Sequence, residues 1–428
     1  MSDEATSTTA APAPVTAPTT AAPSSRLAAT GGAPELAGLG GFPAWPRAGA
    51  EEERAVLDVV RSGAWGSTHG DQVAEFEREF AAAQGAKHAI ALANGTLALA
   101  AALRAAGVGV GDEVIVPPYT FIATAAAPLF VGAVPVFADI DPATHLLDPA
   151  AVEAAITERT KAVIPVHLAG NIADLDAFSE LGRRHGIAVI EDAAQAVGAT
   201  WRGKGVGTAG DLGTFSFQTS KNLSAGEGGI VTTNDDQLAG AVYSLVNVGR
   251  VPGGGWYQHT SVGYNLRLTE FQGAVLRPGL RRLPEEQQLR ETNARALADQ
   301  LADVDGVQLA PADDRVTDHG RHLFIFRVPE LGAAGLRDAA VKALHAEGVA
   351  GASTGYVPLH RNDAVVGEAR ALAERLGQPW PENLCPNADL VSADTIWLPQ
   401  PVLLGTEQQT AAVGRAIAKV AGAADQLR

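Results

Sequence analysis

Residues 213–229 read GTFSFQTSKNLSAGEGG, and the rest of the chain is arranged around them. Two aromatic side chains at alternate positions, Phe215 and Phe217, lead into small hydroxyl residues, then a single lysine, Lys221, then a glycine-rich turn. An apolar run of this kind is a strand entering a loop. An ammonium prefers free water to a packed wall, so Lys221 is either a solvated loop residue or a group that the fold holds against something. Held against an aromatic cofactor, a lysine loses its charge more easily through burial and neighbouring positive groups, and becomes a nucleophile. The stretch by itself leaves both readings open.

Upstream, short apolar runs alternate with helical spacing. Strands are predicted at 89–93, 114–117, 134–137, 162–166, 188–191, 212–217 and 230–233, with helices at 51–61, 96–106, 123–130 and 175–185. This alternation predicts an α/β fold with a mostly parallel sheet covered on both faces. Ligands of such sheets sit beyond the carboxyl ends of the strands. Downstream of Gln272 the pattern changes to a long charged helical stretch over 276–301, a strand at 323–328 and helices at 334–347 and 408–420. Pro278 and Pro284 predict that the long helix kinks or starts late. The expected divisions are an Ala/Pro/Thr-rich disordered tail over 1–37, a large domain over 38–275 and a smaller α+β domain over 276–428. The tail has almost no large apolar side chain with which to offset its ordering entropy. Order is expected to begin near GGFPAWP, residues 40–46.

Three further constellations lie at predicted strand ends. Asn94-Gly95-Thr96 opens a helix, where free amides and the positive end of the dipole suit a phosphate; a plain N-cap explains it equally well. Glu191-Asp192 closes an apolar strand, and alternation sends the two carboxylates to opposite faces, so only one can enter the crevice. A carboxylate there could pair with a protonated ring nitrogen; a helix cap is the plainer explanation. Phe121, after Thr120, could stack on a flat cofactor or belong to the core. Phosphate loop, aromatic face, strand-end carboxylate and lysine together are what a pyridoxal 5'-phosphate (PLP) enzyme requires.

Asn94-Gly95-Thr96, Pro118-Tyr119-Thr120-Phe121, Glu191-Asp192-Ala193-Ala194-Gln195, Phe215-Ser216-Phe217, Lys221-Asn222-Leu223 and Gly226-Glu227-Gly228-Gly229 closely resemble the DegT/DnrJ/StrS family of PLP-dependent sugar and cyclitol aminotransferases. The resemblance runs from about residue 38 to the C-terminus and implies the fold type I, aspartate aminotransferase-like architecture. It implies that Lys221 forms the Schiff base and shuttles the proton. Asp192 would pair with the pyridinium nitrogen and Gln195 with the phenolic oxygen. Phe121 would stack on the ring, and Gly95, Thr96 and Ser216 would hold the phosphate. It also implies a homodimer with a shared active site, to which Asn265, in Gly263-Tyr264-Asn265-Leu266-Arg267, reaches from the partner; read without the family, Asn265 is a turn residue. One branch of the family carries histidine in place of the lysine, and Lys221 argues against that branch here.

The segments GLGGFPAWP (38–46), His167-Leu168-Ala169-Gly170, Gln218 and Gly255-Trp256-Tyr257-Gln258-His259 resemble the branch that aminates scyllo-inosose-like ketocyclitols, with glutamine or glutamate as donor. Nucleotide-linked keto sugars come next as acceptors, then an aminohydroxybenzoate-type synthase; a non-catalytic regulatory protein of the same fold is the remote alternative. Trp65, Tyr257, His259, Tyr356 and His360 are candidates for the substrate wall. Leu268 and Pro278 depart from the family pattern.

Lys and Arg total 32 against 48 Asp and Glu, a net charge of −16, which argues against nucleic acid or an anionic membrane surface as partner. Cys385 is the only cysteine, so no internal disulfide forms and a reducing cytoplasm is expected. No apolar run reaches the roughly 18 residues of a membrane span. No basic-then-apolar leader stands at the N-terminus, and the ten histidines show no metal-ligand spacing.

Overall fold

Apolar runs of four or five residues, set between helices that are apolar on one side, decide the architecture. A computed structural model describes residues 26–381 and 384–428. In chain order its strands are β1 (His88–Leu92), β2 (Glu113–Val116), β3 (Val134–Phe137), β4 (Thr160–Val163), β5 (Ala188–Asp192), β6 (Thr200–Trp201) and β7 (Lys204–Gly205). There follow β8 (Leu212–Ser216), β9 (Gly229–Thr233), β10 (Gln308–Leu309), β11 (Val316–Asp318), β12 (Leu323–Arg327) and β13 (Thr395–Pro399).

The main sheet has seven strands in the order β1-β9-β8-β5-β4-β2-β3. β9 alone runs antiparallel to its neighbours, and the remaining pairings are parallel. Alternation puts Val114 and Val116 on one face, against Leu99 and Leu103 of the Gly95–Ala105 helix, while Ile115 faces the other with Phe178 and Leu181 of the Leu175–His185 helix. Both faces are covered, which is why these strands read as unbroken apolar runs.

The Glu270–Leu301 helix runs without interruption for 32 residues, through Pro278 and Pro284. The later start that the prolines allowed does not occur, because the helix begins at Glu270, ahead of both of them. Each proline forgoes an amide donor to the carbonyl four residues back, but both ends of the helix are buried in cores. Leu276, Leu280 and Leu283 pack under the large sheet, while Ala294, Leu297 and Leu301 join the second core. Arg277 bonds Glu79 at 2.8 Å and Arg281 bonds Glu51 at 2.8 Å, pinning the proline-bearing half to two neighbouring helices. The division drawn between 275 and 276 therefore falls inside one helix that belongs to both cores.

The second core surrounds the antiparallel sheet β10-β12-β13 and the Arg337–Ala346 and Glu407–Ala421 helices. It also holds Leu27 and Leu36, both buried. The buried carboxylate of Glu347 accepts from the Ala28 amide at 2.8 Å and the Glu35 amide at 3.0 Å, and pairs with Lys419 at 2.9 Å. The disordered tail expected over 1–37 is corrected here: residues 26–37 form a packed strap, because two leucines and two buried-carboxylate bonds offset the ordering entropy. Residues 1–25 lie outside the described residues. A third sheet, β11-β6-β7, was not foreseen, since strands of two or three residues carry no periodicity.

Candidate active site

The carboxyl ends of β1, β2, β5 and β8 converge on a cavity of about 910 Å³, closed from above by residues of the second domain. Asn94 at the end of β1 caps the Gly95–Ala105 helix, its Oδ1 accepting from the Leu97 amide at 3.0 Å. The cap is thus Asn94, and Thr96 is free to line the cavity. Gly95 passes so close to the end of β8 that a Cβ there would lie 2.7 Å from Ser216 Cβ. Only glycine allows the helix start and Ser216 to form one cradle.

β5 separates the adjacent carboxylates as alternation requires. Glu191 turns away from the cavity, fully buried, and accepts from the amides of Gly207 at 2.6 Å, Ala209 at 2.9 Å and Gly210 at 2.8 Å and from His167 Nε2 at 3.0 Å. Burial pushes its pKa up, but these bonds outweigh it and hold the carboxyl below its ordinary range. Asp192 lines the cavity, with Oδ2 accepting from Thr124 Oγ1 at 2.8 Å and Oδ1 from the Ala194 amide at 3.2 Å. Thr120 Oγ1 lies 3.0 Å from Thr124 Oγ1 and extends the chain of hydroxyls. Burial dominates at Asp192 and raises its pKa despite the Thr124 bond and the charge of Lys221.

Lys221 lines the same cavity. Burial pushes its amine down to about 8, against the pull of Asp192. The loop that carries it is tied at several points. The Lys221 amide donates to Gln218 O at 2.9 Å and Trp45 Nε1–H to Lys221 O at 3.0 Å. The Asn222 side chain donates through Nδ2 to Gly320 O at 2.7 Å. Gly226, at φ +81°, makes the turn that returns the chain into β9.

Phe121 stands 55% exposed at the cavity edge, its ring 6.4 Å from that of Tyr356. Gln195 spans the domains: its Nε2 donates to Tyr356 Oη at 3.1 Å and its Oε1 accepts from the Ala169 amide at 2.6 Å. Of the residues singled out from sequence, Gly95, Thr96, Phe121, Asp192, Gln195, Ser216, Lys221 and Tyr356 share this cavity.

The others do not line it. His360 pairs with Asp389 at 3.2 Å. Trp65 packs on Phe271 with centroids 5.9 Å apart and bonds Val60 O. His259 bonds Val248 O at 2.8 Å, and Tyr257 is 86% exposed. Asn265 is exposed and bridges to Asn247. Thr124, Glu227, His322 and Trp397 are cavity or network residues that sequence reasoning missed. Thr124 stands four positions after Thr120 at a helix start, a spacing that could have pointed to it; His322 and Trp397 are brought in from the second domain with no local signal.

A parallel-dominated sheet with one reversed strand, a lysine and a carboxylate facing each other at its carboxyl edge, and a C-terminal domain closing over them define a fold type I transferase. The chain belongs to the DegT/DnrJ/EryC1/StrS aminotransferase family, whose model matches residues 46–417. It is 40% identical to an L-glutamine:2-deoxy-scyllo-inosose aminotransferase of Streptoalloteichus tenebrarius, over 90% of this chain and 96% of the relative. It is 45% identical to a GDP-perosamine synthase of Caulobacter vibrioides, over 71% of this chain and 81% of the relative. The solved structure of a 3-amino-5-hydroxybenzoic acid synthase superposes with a TM-score of 0.82 at 39% identity, covering 91% of this chain and 99% of that one. The chain is therefore an aminotransferase acting on small molecules. Among the described residues no helix is long and apolar enough to cross a membrane.

Proposed function

We propose that this aminotransferase is PLP-dependent and moves the amino group of L-glutamine onto a ketocyclitol, working as a cytoplasmic homodimer in aminocyclitol biosynthesis. The observation that carries the reading is the shared cavity of Lys221 and Asp192. The residues fit the cofactor. The Gly95–Ser216 cradle would hold its phosphate at a helix start, the exposed ring of Phe121 would stack on its face, and Gln195 would hydrogen-bond its phenolic oxygen. When bound, PLP supplies the electron sink that stabilises negative charge on the substrate carbon.

The protein's own groups do the rest. Asp192, oriented by Thr124 and Ala194, would hold a proton at the ring nitrogen. Lys221 Nζ, with its pKa near 8, is partly neutral at physiological pH and takes the proton from the donor carbon. The same atom later delivers a proton at the acceptor carbon. Tyr356, Trp397 and the second domain exclude water above it.

Acceptor chemistry follows from the wall. Gln218, Ser220, Glu227, His322 and Tyr356 present hydrogen-bonding groups, and no arginine lines the cavity among the described residues. That suits a polyhydroxylated ketone better than a carboxylated ring, and a relative named for 2-deoxy-scyllo-inosose supports it. The GDP-perosamine synthase relative favours a nucleotide-linked keto sugar as the second reading. A homodimer is supported by exposed aromatic residues beside the cavity, namely Phe121, Phe130 and Tyr264, and by Asn265 exposed where a second copy could use it. The single cysteine, Cys385, buried and unpaired, supports a reducing compartment.

Single-turnover assays of the aminated form against ketocyclitols and nucleotide-linked keto sugars test the acceptor. Turnover of ketocyclitols alone is expected; turnover of only the nucleotide sugars reverses the assignment. Protein that never takes up PLP removes the cofactor reading.

A further inference from the structure

His322, the last residue of the connection that leads from β11 into β12, lines the cavity with its ring buried. Its partner is the residue after the lysine. Asn222 Nδ2 donates to Gly320 O at 2.7 Å and reaches Arg321 O at 3.4 Å, so its Oδ1 is the atom turned to His322 Nδ1, 3.1 Å away. A carbonyl oxygen only accepts, so Nδ1 carries the hydrogen and Nε2 keeps its lone pair. Nε2 meets no protein donor among the described residues and is not sealed into the core. Burial and the neighbouring charges of Lys221 and Arg290 keep the ring neutral. The result is a bare hydrogen-bond acceptor of fixed tautomer beside the reactive amine.

We propose that His322 Nε2 accepts a hydrogen bond from a hydroxyl of the keto acceptor and selects polyhydroxylated over unsubstituted ketones, with Asn222 as the residue that positions it. The inference rests on the acceptor reading given above and adds the residue that enforces it. Two alternatives on the same ring are weaker. A cation that recognises a carboxylate would need protonation that burial opposes, and a purely structural histidine would have its second nitrogen satisfied by protein.

The test compares two ketones in single turnover, a ketocyclitol and cyclohexanone, with wild type and His322→Phe. Removing the acceptor strands a substrate hydroxyl, so the ketocyclitol rate constant should fall by roughly 10- to 100-fold. The cyclohexanone rate constant should fall by less, so that the ratio of the two rate constants drops by roughly tenfold or more, since that ketone has no hydroxyl to strand. Equal losses on both ketones, or no loss on either, overturn the proposal. Failure of the wild type on every ketocyclitol instead removes the acceptor reading and is told apart by that control. Should His322→Phe fold poorly, nitrogen-15 NMR of histidine-labelled wild type takes its place, with Asn222→Ala to assign the resonance. A bare Nε2 that moves on adding myo-inositol supports the proposal; a protonated Nε2, or one indifferent to the polyol, overturns it.

Discussion

The indole Nε1–H of Trp45 donates to the main-chain oxygen of Lys221 at 3.0 Å, across 176 positions of sequence. Trp45 in turn lies under the buried guanidinium of Arg290, 5.2 Å from its ring centre. The segment that follows the N-terminal strap, itself packed on the second domain through Leu27 and Leu36, therefore ties the lysine loop through Trp45.

Trp45→Phe keeps the ring beneath Arg290 and deletes only the bond. A hydrogen bond of this kind contributes about 1 kcal/mol, so kcat/KM should fall by about fivefold if the loop position matters in turnover. Trp45→Ala should cost more by also removing the ring. Kinetics of Trp45→Phe identical to wild type would show that the tie does not act on Lys221.

The neighbouring carboxylates separate structure from chemistry. Glu191→Gln puts an amide NH₂ against groups that already donate, and should destabilise the protein by about 2–4 kcal/mol in urea unfolding. Asp192→Asn should leave the unfolding midpoint near wild type and abolish turnover. The bonds that hold Glu191 below its ordinary pKa mean its stabilisation is present at neutral pH and is lost as pH falls through that lowered value.

Lys221 carries the opposite signature. Its amine is pushed down to about 8 in the fold, whereas an unfolded lysine titrates near 10.4. Between those values the unfolded chain binds more protons, so stability of the cofactor-free protein rises as pH climbs from about 8 toward 10. Lys221→Met should remove that rise. A wild-type pH–stability curve that matches the Lys221→Met curve would contradict the burial of the amine.

Thr124→Val removes one hydroxyl from Asp192 Oδ2 at nearly constant volume. The carboxylate loses an orienting bond of the charge-assisted kind, worth about 1.5–3 kcal/mol. Cofactor affinity and rate should drop by roughly tenfold or more, measured by spectroscopic titration and steady-state kinetics, with Thr124→Ser restoring most of both.

Much of the large domain was legible because its signals are local. The strand at 134–137 and the helices at 123–130 and 175–185 fall where their periodicity puts them, since burial of both faces of a sheet writes itself on adjacent residues. The order of strand ends also put Gly95, Phe121, a strand-end carboxylate and Lys221 on one edge, and the family resemblance added Ser216. Where local signals misled, packing had overruled them. Pro278 and Pro284 sit inside an unbroken helix because two cores grip its ends, and residues 26–37 are ordered because Leu27 and Leu36 find a core far along the chain.

By itself, then, the sequence determined the alternating α/β architecture and the approach of one amine to one strand-end carboxylate, since both depend on spacing along short segments. Only the tertiary structure decided that Glu191 is buried against the 207–210 amides, that Trp45 ties the lysine loop, that Asn222 orients His322 and that His360 pairs with Asp389. Those are contacts between segments up to 176 positions apart. They exist only once the sheet, the long helix and the second domain have packed, because a side chain's direction in space is set by what covers it and not by its neighbours in the chain.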